Sequence, residues 1–183
     1  MPDLSGRTAV VTGASQGIGL EVARGLALSR ARVLCLSLDK QRGEEAVQQI
    51  RADVKERTGQ EPNIEWVGID QRDLKSVKAC ADQIAKDEAR IDIIAANAGI
   101  GVEPADLTKD GYDTHLTVDH LAEMLLTNRL LPLLRRTAAQ HPSRTSCRIV
   151  TQSSELHRAS KLNEITFAST ADFKNQMCVS TLS

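Results

Sequence analysis

Blocks of strand-like and helix-like hydrophobic spacing alternate along the chain. Thr8 to Thr12 (TAVVT) is a short β-branched run ending at Gly13, and from Ile18 apolar residues recur at helical spacing through Val22, Leu26 and Leu28. A second apolar run, Arg32 to Leu38 (RVLCLSL), follows directly, and Glu44 to Val54 then carries Ala46, Val47 and Ile50 on one helical side. Thr58 to Pro62 supplies turn residues, Ile64 to Ile69 reads as a third strand, and Leu74 to Ile84 reads as a third helix carrying Val77 and Ala81. Ile91 to Ala96 is a fourth strand closed by Asn97, Ala98 and Gly99, and Gly101 to Gly111 is loop. Leu116 to Thr137 is a long amphipathic helix, interrupted or bent near Pro132, and Cys147 to Thr151 (CRIVT) makes a fifth strand.

Strands that alternate with helices need crossover connections, which are right-handed in nearly all proteins, so the sheet is expected to be parallel with helices on both faces. The fold class that follows is α/β: a doubly wound, three-layer Rossmann unit with strand order 3-2-1-4-5, formed by residues 1–155 as one domain. Beyond that point the pattern fails. Leu156 to Ser183 is polar and without clear period, so it is expected to be an irregular segment of the same domain, leaving the sheet incomplete.

Composition narrows the class of partner. Apolar residues make up 41% of the 183-residue chain, enough for one sizeable core. With 23 basic against 24 acidic residues and no basic block, the chain offers no electrostatic footprint for nucleic acid or an acidic membrane, which points to a small molecule. Cys35, Cys80, Cys147 and Cys178 are scattered without zinc-ligand spacing, so neither a metal site nor a disulfide framework is expected, and buried thiols are the simpler reading. No apolar run is long enough to cross a bilayer, and the first residues lack the apolar stretch of a signal peptide, so a cytoplasmic setting is expected.

The candidate chemistry begins at the first turn. Thr12-Gly13-Ala14-Ser15-Gln16-Gly17-Ile18-Gly19 lies between a strand and a helix, the context that gives a glycine motif its meaning. Gly13 suits the tight turn, Gly17 lets backbone approach a pyrophosphate, and Gly19 permits close helix–sheet packing, while free N–H groups at the helix start face the phosphates. Glycines can also merely punctuate a turn, but the strand–helix context argues against that here. No Gly-Lys-Ser/Thr follows, which makes a P-loop a poor rival.

This motif, T-G-x-x-x-G-x-G, resembles that of the short-chain dehydrogenases/reductases. The resemblance continues through Asp70, similar to the family's adenine-ring aspartate, and through Asn97-Ala98-Gly99, similar to the N-A-G beside the cofactor. Asp110 to Leu134, with Leu-Leu-Thr-Asn-Arg-Leu-Leu-Pro-Leu-Leu at its end, looks like the retinol-dehydrogenase-like branch and its fungal relatives. Arg148 to Ser154 (RIVTQSS) resembles the family strand that ends in the catalytic serine. The resemblance implies an NAD(P)-dependent oxidoreductase acting on a carbonyl or alcohol, with Gly13, Ser15, Gln16, Gly17, Ile18, Gly19, Asp39, Asp70, Asn97, Ala98 and Gly99 as cofactor-binding residues.

In that family a Tyr exchanges a proton with the carbonyl or alcohol oxygen, a Lys four residues on lowers the Tyr pKa, and a Ser polarises the substrate. Ser154 aligns best with the serine. Tyr112, the one tyrosine, precedes the long helix and has Leu116 where the motif needs Lys. Counting on from Ser154 gives Phe167 and Ala171 at the Tyr and Lys positions, and Thr170 with Lys174 has the spacing but not the acid. Leu156 to Ser183 instead resembles the longer loop some relatives carry before the tyrosine, so the chain is expected to be C-terminally truncated and catalytically incomplete. A second departure is Val118-Asp119-His120-Leu121, where relatives have V-N-x-L. Asp119 takes the place of an Asn that organises a proton-relay water, and an ionised carboxylate cannot donate as the amide does. A non-catalytic dinucleotide-binding or dimerising fragment is therefore the alternative reading.

The cofactor's ribose is read at the end of the second strand, where a carboxylate favours the free hydroxyl and a cation favours the 2′-phosphate. In Ser37-Leu38-Asp39-Lys40-Gln41-Arg42, Ser37 leaves room and Lys40 or Arg42 suits a phosphate, whereas Asp39 suits a ribose. The balance tilts to NADP, with NAD kept open. The long helix around Leu121 to Leu134 resembles the one used in family homodimers.

Overall fold

A computed structural model of the chain describes residues 1–101, 104, 106–140 and 147–154. β1 (Thr8–Thr12), β2 (Arg32–Ser37), β3 (Ile64–Gly68), β4 (Ile93–Ala96) and β5 (Arg148–Thr151) form one sheet in the order β3-β2-β1-β4-β5. Every pairing is parallel, with Val10 opposite Leu34 and Ile94, Leu34 opposite Glu65, and Ile94 opposite Ile149. The expected doubly wound order is therefore observed, with β1 as expected and β2 to β5 one or two residues shorter than the apolar runs suggest.

Side chains of successive strand residues point to opposite faces, and both faces are covered. Val11, Val33, Cys35 and Ala95 pack under α1 (Gly17–Leu28) and α2 (Lys40–Thr58) with Ala23, Ala27, Val47 and Ile50. Val10, Leu34, Leu36 and Ile94 pack under α3 (Leu74–Asp87) and α5 (Glu123–Ala139) with Val77, Ile84, Leu126, Leu130 and Leu133. The small Ala23 and Ala27 let α1 lie close to the sheet. α2 is longer than its apolar stripe predicts, because Asp39 caps its start by accepting a backbone N–H and Gly59 ends it in the left-handed region at φ +71°; α3 starts at Leu74 as expected, capped by Asp73, and runs three residues further, to Asp87.

The long helix departs from expectation. α4 (Thr114–Leu116) opens into a π-helical segment, Thr117–Ala122, before α5, and α5 runs through Pro132 without interruption. Pro132 is exposed, so the carbonyl it leaves unbonded meets water; the irregular turn is at Asp119 instead. At the opposite end of the sheet the fully buried Asp92 accepts from Thr8 N at 2.9 Å and from both sides of the Arg90 guanidinium, stapling β1 to β4. Cys35 and Cys80 are buried, and burial pushes their thiols up to about 12 and about 11, whereas Cys147 is only half-buried and Cys178 lies outside the described residues. β5 is the uncovered edge, with Ile149 43% and Val150 56% exposed. Among the described residues no helix is long and apolar enough to cross a membrane.

Candidate functional site

In a doubly wound sheet the strand order reverses at β1 and β4, and the loops leaving their C-terminal ends diverge to opposite faces, opening a crevice. β1 ends at Thr12 and turns on Gly13, whose φ is +64° and whose added Cβ would stand 2.9 Å from Ala98 Cα. Only glycine allows that turn to rest on the segment leaving β4. α1 then begins at Gly17, φ +56°, where an added Cβ would meet nothing within 4 Å. The N-cap residue Gln16 places no side-chain cap on the first turn, and no acidic residue sits there. Its N–H groups and the positive end of the helix dipole are therefore left for an anion above Gly17.

The second wall is the segment after β4. Asn97 N and Ala98 N both donate to Thr12 Oγ1, at 2.9 and 3.0 Å, and Asn97 Nδ2 donates to Thr12 O at 3.1 Å. The third wall follows β3. Asp70 N donates to Ser76 Oγ at 3.0 Å and Asp70 Oδ1 accepts from Arg72 N at 2.9 Å, a local turn that fixes the carboxylate at the rim.

These walls enclose a cleft of about 440 Å³ lined by Gly13, Ser15, Gln16, Gly17, Ile18, Ser37, Leu38, Ile69 to Arg72, Asn97 to Ile100, Val118 and Gln152. Nine of the sequence-predicted cofactor residues thus meet around one space: Gly13, Ser15, Gln16, Gly17, Ile18, Asp70, Asn97, Ala98 and Gly99. A roomier groove of about 790 Å³ runs along α2 and β3, but its lining of Lys40, Glu44, Arg51, Trp66 and their neighbours includes none of these residues.

Four predicted residues lie elsewhere. Gly19 is buried beneath the turn, where an added Cβ would overlap Gly13 O and come within 2.6 Å of Asn97 Nδ2, so its role is packing. Asp39 is exposed and its carboxylate caps α2 through Arg42 N at 2.9 Å. Asp119 lies in the π-helical segment and accepts from Ile100 N at 2.9 Å, bracing the wall from behind. Burial pushes its carboxyl up, more than the Ile100 bond and nearby His115 lower it, and Asp113 adds to the rise. Ser154 is exposed, three residues past the end of β5, in the segment whose Gln152 reaches the cleft. Tyr112 is 49% exposed in a turn closed by the Leu107–Asp113 bridge and does not line the cleft. Phe167, Thr170, Ala171 and Lys174 lie outside the described residues.

Two groups escape the sequence reading. Glu123, 5% exposed at the start of α5, accepts from Thr12 Oγ1 at 2.6 Å and from Gln71 Nε2 at 2.8 Å. Its signal in the sequence is a carboxylate on the stripe that continues through Leu126, Leu130, Leu133 and Leu134. Trp66 donates from Nε1 to Ser37 Oγ at 3.0 Å across the space left by Gly43, where an added Cβ would overlap the indole. A tertiary contact between two elements carries no local periodicity, and no sequence signal marks it.

Comparison with known proteins agrees with this geometry. Residues 7–175 match the family model described as short chain dehydrogenase. The chain is 35% identical to human retinol dehydrogenase 14 over 97% of this chain and 53% of that protein. It is also 35% identical to the short chain dehydrogenase/reductase dpchH of Colletotrichum higginsianum, over 89% of this chain and 40% of that one. Among solved structures it resembles the RhlG/NADP active-site complex of Pseudomonas aeruginosa, with TM-score 0.68 and 26% identity over 94% of this chain and 63% of that chain. A Beutenbergia cavernae protein described as an NAD(P) dependent gluconate 5-dehydrogenase, with NADP bound at low occupancy, gives TM-score 0.62 and 29% identity over 84% of this chain and 56% of that chain. The chain spans about half the length of the curated relatives it matches.

Proposed function

The chain belongs to the short-chain dehydrogenase family, and from that premise we propose that its strand-end cleft binds NADP(H) as the nucleotide-binding part of an oxidoreductase acting on a small carbonyl or alcohol. The observation that carries this reading is the first turn of α1, which lacks both a side-chain cap and an acidic residue and opens onto free space above Gly17. When bound, the nicotinamide supplies the hydride acceptor or donor. The first-turn N–H groups of α1 hold the pyrophosphate, Asp70 meets the adenine end, and Asn97 to Gly99 form the floor.

The preference for NADP over NAD rests on the end of β2. One oxygen of the Asp39 carboxylate, Oδ1, is held by the α2 cap, which ties the side chain to the helix start and leaves Oδ2 for a ribose hydroxyl. Ser37 Oγ accepts from Trp66 Nε1, leaving its own proton to donate, and the exposed Arg42 has no ion pair among the described residues.

A second reading concerns the reaction itself. Tyr112 is the one tyrosine in the chain and stands away from the cleft, so this chain binds the dinucleotide without turning it over. A cytoplasmic setting and a homodimer belong to the proposal. Because Leu126, Leu130, Leu133 and Leu134 are already buried in the chain's own core, dimer contacts come from Met124 and the outward side of α5 or from β5.

The test is titration of the purified chain with NADPH and NADH, alongside Leu38→Arg. NADPH is expected to bind more tightly, with the gap widened about tenfold in Leu38→Arg by one added phosphate contact. Equal affinities in both proteins would sink the NADP preference. A carbonyl panel should give no NADPH oxidation, and measurable turnover would refute the second reading.

A further inference from the structure

We propose that Glu123 is a positioning residue for the dinucleotide cleft, tying its three walls together through a single carboxylate oxygen. The inference rests on the cofactor reading above. A hydroxyl has one proton and two lone pairs. Both Thr12 lone pairs are taken, by Asn97 N at 2.9 Å and Ala98 N at 3.0 Å, so its proton must go to an acceptor. Two acceptors are in range: Ala95 O at 3.4 Å and Glu123 Oε1 at 2.6 Å, and the shorter bond wins. Glu123 therefore fixes the Thr12 rotor, and the rotor fixes the N-A-G segment against the glycine turn.

The same oxygen accepts from Gln71 Nε2 at 2.8 Å, one residue after Asp70 on the third wall. Glu123 Oε2 is buried and has no hydrogen-bond partner among the described residues. Among the described residues the side-chain hydrogen bonds of this carboxyl thus run to cleft walls and not to its own helix or to the apolar core around Leu126. A buried carboxylate is a poor way to stabilise a core, and this one is placed where only the cleft gains from it. Burial pushes its carboxyl up, and the Thr12, Gln71 and Ala98 groups offset that only in part.

The test uses the 183-residue chain with Glu123→Gln, Glu123→Leu and the double variant Q71L/E123L, which also removes the half-buried Gln71 amide that would lose its acceptor and guards against a single variant that fails to fold. Two readouts are taken: NADPH affinity by titration, and amide exchange at Asn97 and Ala98 with β1–β2 amides as reference. Glu123→Gln keeps an acceptor oxygen and is expected to bind within about threefold of the parent with unchanged exchange. Glu123→Leu and the double variant are expected to bind about tenfold more weakly, with Asn97 and Ala98 exchanging faster while the reference amides stay put. Parent-like affinity or exchange in the leucine variants overturns the proposal, as does a Glu123→Gln protein as impaired as Glu123→Leu. If the parent chain binds no NADPH, the cofactor reading fails and the exchange data alone decide whether Glu123 braces the walls.

Discussion

Gly17 and Gly19 stand two residues apart and are both read as cofactor glycines, yet adding one methyl to each should have opposite consequences. In Gly17→Ala the new Cβ meets nothing within 4 Å, so the cost to the free protein is only that of holding alanine at φ +56°. That cost is about 1–2 kcal/mol. For a chain of this size it lowers the melting temperature by roughly 2–4 °C per kcal/mol. In Gly19→Ala the Cβ overlaps Gly13 O and stands 2.6 Å from Asn97 Nδ2 and 2.8 Å from the Gly13 carbonyl carbon. Backbone atoms cannot rotate away, so the turn or the helix must shift, at a cost of about 3 kcal/mol. The melting temperature should then fall by roughly 6–12 °C. Binding should order differently. The space above Gly17 is where the phosphates belong, so Gly17→Ala loses NADPH affinity by about tenfold or more despite its small stability loss. Thermal melts and cofactor-fluorescence titrations on the same preparations measure both quantities. A Gly17→Ala protein that binds like the parent, or a Gly19→Ala protein that melts within a degree of it, refutes the reasoning.

The remaining predictions concern stability. Burial alone would push the Asp92 carboxyl up, but the Arg90 guanidinium and the Thr8 N–H together outweigh it and hold the group below the usual range. Its folded value is lower than its unfolded one, so its contribution is complete above the ordinary Asp value of about 4 and is lost as pH falls through the folded value. Asp92→Asn should lower stability by about 2 kcal/mol at pH 7 and flatten the acid limb of a urea-unfolding series; an unchanged acid limb would contradict the staple. Gly43→Ala should displace Trp66 from Ser37, seen as a shifted indole fluorescence maximum and a loss of about 1–3 kcal/mol in denaturant melts. An unperturbed spectrum would show that the indole has room to spare.

Most of the scaffold was legible because its causes are local. β-branched runs such as TAVVT, the switch to helical spacing after Ile18, and the alternation of the two patterns carry the strand order with them. Boundaries were less legible where capping decides them: Asp39 starts α2 four residues before its apolar stripe and commits one carboxylate oxygen to the cap. The covalent reason for an irregular turn lies at Pro132, yet the π-helical segment forms at Thr117–Ala122, where Asp119 bonds to Ile100. At the site, glycines and the N-A-G segment follow one another in fixed motifs and were readable. Thr12, Gln71 and Glu123 come from three distant parts of the chain, and only folding brings them to one oxygen.

The central claim is that the cleft between the glycine turn, Asp70 and the N-A-G segment is a dinucleotide site. A ¹H–¹⁵N NMR titration of the chain with NADPH tests it most directly. Saturable shifts confined to the amides of Gly13 to Gly19, Asp70 to Arg72 and Asn97 to Ile100, absent in Gly17→Asp, are the predicted result. A folded chain whose amides do not move, or move along α2 and β3 instead, would contradict it.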